Sequence, residues 1–312
     1  MVKSPVFQVG CERSGTTLLR LMLDHHPRIS FLFEFEYAVD QIRDPERWPS
    51  MDAYRRWLES NRNFIESRFT IDPQLDYPHL VDDFLRQKQA RDGKPVVGAT
   101  VHYEFDKLTR IWPDARFIHI MRDGRDVARS VVQMGWAGNV WDGTGRWITA
   151  EKMWQQMRCH LPADRWIELK YEDLVADADG SMQRICRFIG VPMDKAVFDY
   201  AKTSTYDLPD PTLISRWKQH TSDYQVQLVE SRIGDMLRER GYELSGLPRM
   251  KISACREFWL QLQSRLGRAH FRLRRYGWAL FLRDLLARRM FVRTWQSQIQ
   301  REIRRIDALH IK

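Results

Sequence analysis

Gly10-Cys11-Glu12-Arg13-Ser14-Gly15-Thr16-Thr17 is the stretch of this 312-residue chain whose residue types are best suited to holding an anion. Two glycines bound a loop between an apolar run and a helical pattern, which leaves several backbone N–H groups turned inward without partners. The N-terminal end of the following helix adds partial positive charge at the same place. Arg13 supplies a fixed cationic fork for phosphate or sulfonate oxygens, and the hydroxyls of Ser14, Thr16 and Thr17 add further donors. Gly10 and Gly15 have the spacing of the nucleoside-triphosphate loop Gly-x-x-x-x-Gly-Lys-Ser/Thr, but Thr16 stands at the lysine position. Without that lysine a triphosphate loses its main counter-charge, so the loop suits a less highly charged group.

The elements that must position this loop are legible on either side of it. Residues 5–10 read as a short buried strand ending at a glycine, and 16–26 carry a broad apolar face at helix spacing. A second strand–turn–helix unit runs through 116–121, the turn Arg122-Asp123-Gly124-Arg125, and a helix from Asp126. Residues 166–171 give a third strand, 181–189 a helix stopped by Gly190 and Pro192, and 94–101 a further strand. Strands alternating with helices predict a mostly parallel sheet of four or five strands, covered on both faces. Residues 34–92 read as helices and loops rich in aromatics, either a substrate cover at the carboxyl edge of the sheet or plain helical packing.

Composition narrows the class. No stretch approaches 18 consecutive apolar residues, and residues 1–5 lead straight into a strand pattern, so a cytoplasmic protein is expected. Cys11, Cys159, Cys186 and Cys255 lack metal-ligand spacing and are expected to be reduced thiols; no metal is implied. The net charge of +9 conceals an asymmetry: residues 249–312 hold 16 Lys+Arg against 4 Asp+Glu, and the rest of the chain is nearly neutral.

Three segments carry a resemblance. Arg13-Ser14-Gly15-Thr16-Thr17-Leu18-Leu19, directly after the first strand, resembles the 5′-phosphosulfate loop of sulfotransferases that use 3′-phosphoadenosine 5′-phosphosulfate (PAPS). Residues 116–130 resemble that family's 3′-phosphate segment, in which an arginine ends a strand and a serine follows eight residues later. Arg122 and Ser130 match those positions, where guanidinium and hydroxyl can converge on one phosphate. Lys170-Tyr171-Glu172-Asp173-Leu174 resembles the stretch whose tyrosine touches the nucleotide; Tyr171 either does so here or merely ends a strand. The resemblance runs over roughly residues 5–245. It implies an α/β fold with a P-loop-type parallel sheet flanked by helices, PAPS as sulfuryl donor, and release of 3′,5′-adenosine bisphosphate.

Sulfuryl transfer needs a base for the acceptor proton and positive charge on the leaving nucleotide. Arg13 and the loop N–H groups meet the second need. Glu34 has the offset of the catalytic glutamate in carbohydrate and tyrosyl sulfotransferases, and its apolar neighbours favour a raised pKa. Alternation puts Glu36 on the same side of an extended segment, so it remains a rival. His102 resembles in position the catalytic histidine of cytosolic small-molecule sulfotransferases. The lysine that assists the leaving group in many relatives is absent from residues 98–102, so His102 acts as base, replaces that lysine, or is structural.

Beyond the predicted α/β domain (1–248), residues 249–312 form a basic amphipathic helical extension with breaks near Gly267 and Gly277. Its partners are an anionic membrane surface, a second subunit or the protein's own body, or an acidic polysaccharide. No nucleic acid is expected, because no recognised nucleic-acid module accompanies the charge. The acceptor is a carbohydrate, lipid or small molecule bearing a hydroxyl or amine.

Overall fold

The computed structural model describes residues 1–290 together with 298, 299, 302, 303 and 306; the tail aromatics Phe291 and Trp295 lie outside the described residues. The first elements in chain order are β1 (Val6–Val9), α1 (Thr16–His25), β2 (Ile29–Glu34), α2 (Met51–Leu58), α3 (Arg62–Ser67), α4 (Tyr77–Asp92) and β3 (Val96–Val101). They are followed by α5 (Leu108–Ile111), β4 (Arg116–Met121), α6 (Gly124–Gln133), α7 (Val140–Arg158), β5 (Trp166–Lys170), α8 (Tyr171–Ala176) and α9 (Ala178–Ile189). The last are α10 (Tyr200–Thr203), α11 (Trp217–His220), α12 (Asp223–Glu239) and α13 (Ala254–Met290). Two compact units emerge: Met1–Arg122 with Arg146–Ile214, and Asp123–Gly145 with Ser215–Lys312.

The first unit is built on the expected sheet, with five parallel strands in the order β2-β3-β1-β4-β5. Strand alternation sorts the apolar side chains into two layers. Phe7, Val9, Val97, Ala99, Val101 and Phe117 enter one core with α4, Tyr54 and Trp112. Val6, Ile29, Phe31, Ile118 and Ile120 enter the other, against α1, α8 and α9. Both faces are therefore covered, as near-continuous apolar strands require. From β1 the chain builds β2 and β3 on one side and then crosses to build β4 and β5 on the other. The carboxyl end of β1 is thus the switch point where such sheets bind ligands.

Two readings of the sequence change here. Residues 29–34 are a full edge strand paired with β3, not merely an extended segment, and the strand ends at Glu34. A 3-10 turn begins at Glu36, so strand alternation does not relate the two glutamates: Glu34 is exposed and Glu36 is buried. In the segment 34–92, Tyr54, Phe64, Phe69 and Tyr77 are buried in the core, which is the helical-packing reading.

The second unit is organised around a buried polar network. Asp123 accepts from the Arg125 guanidinium at 2.7 Å and from the Trp217 indole at 3.0 Å, and Arg125 also reaches Glu230 at 2.7 Å. The single guanidinium is shared by both carboxylates, and this pairing lowers the cost of their burial. α13 packs on residues 135–142. The Asn139 amide donates to Leu260 O at 2.7 Å, and Gly138 N donates to Ser264 Oγ at 2.9 Å. Gly267 does not break this helix. A Cβ there would come within 2.7 Å of Gly138, so the glycine permits close backbone approach. The break falls at Gly277 alone. Among the described residues no helix is long and apolar enough to cross a membrane.

Candidate active site

The loop after β1 folds as its residue types require. Arg13 and Gly15 both take left-handed backbone angles, φ 69° and 86°, turning the chain sharply into α1. The first turn of α1 offers the N–H groups of Thr16, Thr17 and Leu18 with no acceptor inside the helix. The Ser14 hydroxyl is fully buried and has no hydrogen-bond partner, an arrangement costly enough to call for a ligand oxygen. Burial lowers the Arg13 guanidinium below its ordinary value, and the charge of Arg122 adds to that. Buried cationic charge beside an unsatisfied hydroxyl and a helix N-terminus fits an anionic donor group.

Arg122 follows the last residue of β4 and reaches back to the same loop. Its guanidinium donates to Arg13 O at 3.4 Å and to Leu213 O at 3.2 Å, and lies over the Tyr171 ring at 4.3 Å. Tyr171 is buried at the start of α8, and its ring fills the space beside Gly15. The tyrosine therefore does more than end a strand: it wedges the loop and supports the arginine. A Cβ at Gly15 would sit 2.3 Å from that ring on a backbone already at positive φ. Gly15→Ala is expected to lower stability by about 1–3 kcal/mol, read as a lower melting temperature. Ser130 belongs to the second unit, in the second turn of α6, and is half-buried.

On the other side of the loop lies an arrangement the sequence did not reveal. His102, the first residue after β3, is buried. Its Nδ1 hydrogen-bonds Glu36 Oε1 at 2.7 Å, its backbone N–H donates to the same oxygen at 2.9 Å, and its Nε2 meets Thr16 Oγ1 at 3.1 Å. Burial by itself pushes the imidazole down. The hydrogen bond and charge of Glu36 outweigh it, and the net shift is upward. A histidine held towards its cationic form thus contacts the hydroxyl at the lysine position of the loop. Glu36 is its partner, and the other Glu36 oxygen is buried without a hydrogen bond.

Glu34 sits at the carboxyl end of β2, exposed, accepting from the Asn63 amide at 2.9 Å. Local desolvation, and then the Glu36 charge, hold its carboxyl above the ordinary carboxylate value. Asn63 comes from α3, and no sequence signal pointed to it. Cys11 is buried, and its thiol is pushed well up, first by that burial, which disfavours the nucleophilic thiolate. The first unit thus gathers Arg13, Ser14, Gly15, Thr16, Thr17, Arg122 and Tyr171 around one loop. His102 with Glu36 borders it, and Glu34 stands at the adjacent strand end.

The family model described as the sulfotransferase family matches residues 5–195. The chain belongs to that family. Among curated relatives, this chain is 28% identical over 214 residues to protein-tyrosine sulfotransferase 1 of Danio rerio, covering 62% of this chain and 55% of that one. It therefore spans just over half the length of that relative. It is 23% identical over 300 residues to the omega-hydroxy-beta-dihydromenaquinone-9 sulfotransferase of Mycobacterium bovis, covering 77% of this chain and 75% of that protein. Among solved structures, the sulfotransferase domain of the Synechococcus PCC 7002 olefin synthase aligns with a TM-score of 0.50 at 20% identity. That alignment covers 79% of this chain and 98% of the domain, and it shows the shared fold.

Proposed function

We propose that this sulfotransferase moves a sulfuryl group from PAPS to an acceptor hydroxyl, releasing 3′,5′-adenosine bisphosphate. The observation that carries the reading is the loop itself: a phosphate-type loop with Arg13 inside it and Thr16, held by His102, where a triphosphate-binding loop has lysine. The donor supplies an activated sulfuryl group on a phosphate bridge; every other requirement falls on this chain. The loop N–H groups, Ser14, Thr16, Thr17 and Arg13 bind the 5′ end, with Gly15 letting the backbone turn. Arg122 binds the 3′-phosphate and Tyr171 supports it. Ser130 keeps the 3′-phosphate assignment that its place in the sequence motif implies.

The acceptor oxygen takes the sulfuryl group and gives up its proton, and Glu34 is placed to receive it. Its raised pKa brings it closer to the working pH, where a base is most effective. The bridging oxygen leaves with the bisphosphate, and its charge is met by Arg13 and by His102, which takes the role of the absent lysine. Two relatives, named for protein-tyrosine and for omega-hydroxy-dihydromenaquinone substrates, support a hydroxyl as the acceptor group.

The test is a thermal-shift comparison of 3′,5′-adenosine bisphosphate with ATP and magnesium. A ligand at about a hundred times its dissociation constant adds roughly 2.7 kcal/mol, a visible rise in melting temperature. Stabilisation by the bisphosphate alone is expected; stabilisation by ATP with magnesium alone would overturn the donor assignment.

A further inference from the structure

The helix α13 carries apolar residues on two opposite faces, and only one of them is packed. Leu260, Ser264 and Phe271 recur at helical spacing on the side that meets residues 135–142, and the contacts at Gly135, Gly138 and Asn139 fix that side inward. Phe258, Leu262, Leu266 and Leu273 recur at the same spacing on the opposite side, with Trp259 beside them. Phe258, Trp259 and Leu266 are 61%, 60% and 63% exposed, and beyond the break at Gly277 Trp278 is 71% exposed. A contiguous bare stripe of this kind on one helix marks an interaction surface.

Charge identifies what it meets. Residues 254–290 carry nine arginines against two acidic residues. Exposed Arg265 and Arg274 border the stripe on its two sides. Two copies of this chain pairing through the stripe would set cationic borders against cationic borders, a repulsive arrangement. An anionic lipid surface complements both features, taking the apolar side chains into its acyl boundary and the guanidinium groups at its headgroups. A second observation points to the same chemistry. A cavity of about 480 Å³ beside α13 combines apolar Val132, Ala137 and Phe271 with cationic Arg274 and Arg275 and with His270. That lining suits an amphiphile with an anionic head.

From the bare stripe and its arginine borders we propose that α13 docks this sulfotransferase on an anionic lipid surface. The proposal does not depend on the donor assignment. The test is flotation of the full chain with vesicles of phosphatidylcholine alone and with vesicles containing about a third phosphatidylglycerol. Binding to the anionic vesicles is expected to exceed binding to the neutral ones at least tenfold and to weaken with salt. Leu266→Glu and the pair Arg265→Gln/Arg274→Gln are each expected to reduce it about tenfold. Both sets of substitutions are on the surface, and an unchanged melting temperature verifies the fold. Equal binding to both vesicle types, no binding, or binding indifferent to these substitutions overturns the proposal. So does a dimer, seen by sedimentation velocity, that Leu266→Glu dissociates.

Discussion

Glu34→Gln is expected to lower kcat about a thousandfold while leaving the affinity for 3′,5′-adenosine bisphosphate unchanged. The amide keeps the shape of the side chain and its contact with Asn63, but it cannot accept the acceptor's proton. A drop in kcat without a change in nucleotide affinity separates a base from a binding residue. The pH profile gives an independent readout. The rate should rise as Glu34 ionises, above the ordinary carboxylate range because its pKa is raised, and that limb should vanish in Glu34→Gln. It should fall again as His102 loses its proton, above the ordinary imidazole range because its pKa is raised too. Removing the Glu36 charge with Glu36→Gln is expected to move this falling limb to lower pH. Asp40, pushed up to about 7 by burial and by Glu36, titrates as well, so the limbs are assigned from the variants. Retained turnover in Glu34→Gln would transfer the base to His102 or Glu36.

Arg122→Ala is expected to weaken bisphosphate binding by a factor of about a hundred to ten thousand, measured by calorimetry. A guanidinium making two charge-assisted hydrogen bonds to a phosphate contributes roughly 1.5–3 kcal/mol for each. The loss has a second source here. Arg122 also ties the carbonyl of Arg13 to the end of β4 and lies on the Tyr171 ring, so its removal loosens the 5′ loop. Arg122→Lys distinguishes the two contributions. It keeps the charge and loses the fork, and is expected to recover only a small part of the affinity. Bisphosphate affinity unchanged in Arg122→Ala would remove this arginine from the nucleotide site.

The sequence by itself determined the loop, four of the five strands of the sheet, and the family. These are local properties. A glycine-bounded turn, an arginine inside it and a helix pattern directly after it follow from backbone sterics and periodicity over about a dozen residues. Arg122 at a strand end was legible for the same reason. Glu34 and Glu36 looked equivalent by alternation. The strand stops at Glu34 and a 3-10 turn starts at Glu36, and only that change of geometry exposes one carboxylate and buries the other. The pairing of Glu36 with His102 joins residues 66 positions apart across the edge of the sheet, and periodicity carries no information over that distance. Asn63 reaches Glu34 from a helix whose own pattern serves only packing. The basic tail was visible as composition, but which face of α13 is bare depended on where residues 135–142 cover it. Charge and chemistry are written residue by residue, whereas burial and long-range hydrogen bonds exist only once distant segments are packed together. That is why the loop could be read directly and its histidine partner could not.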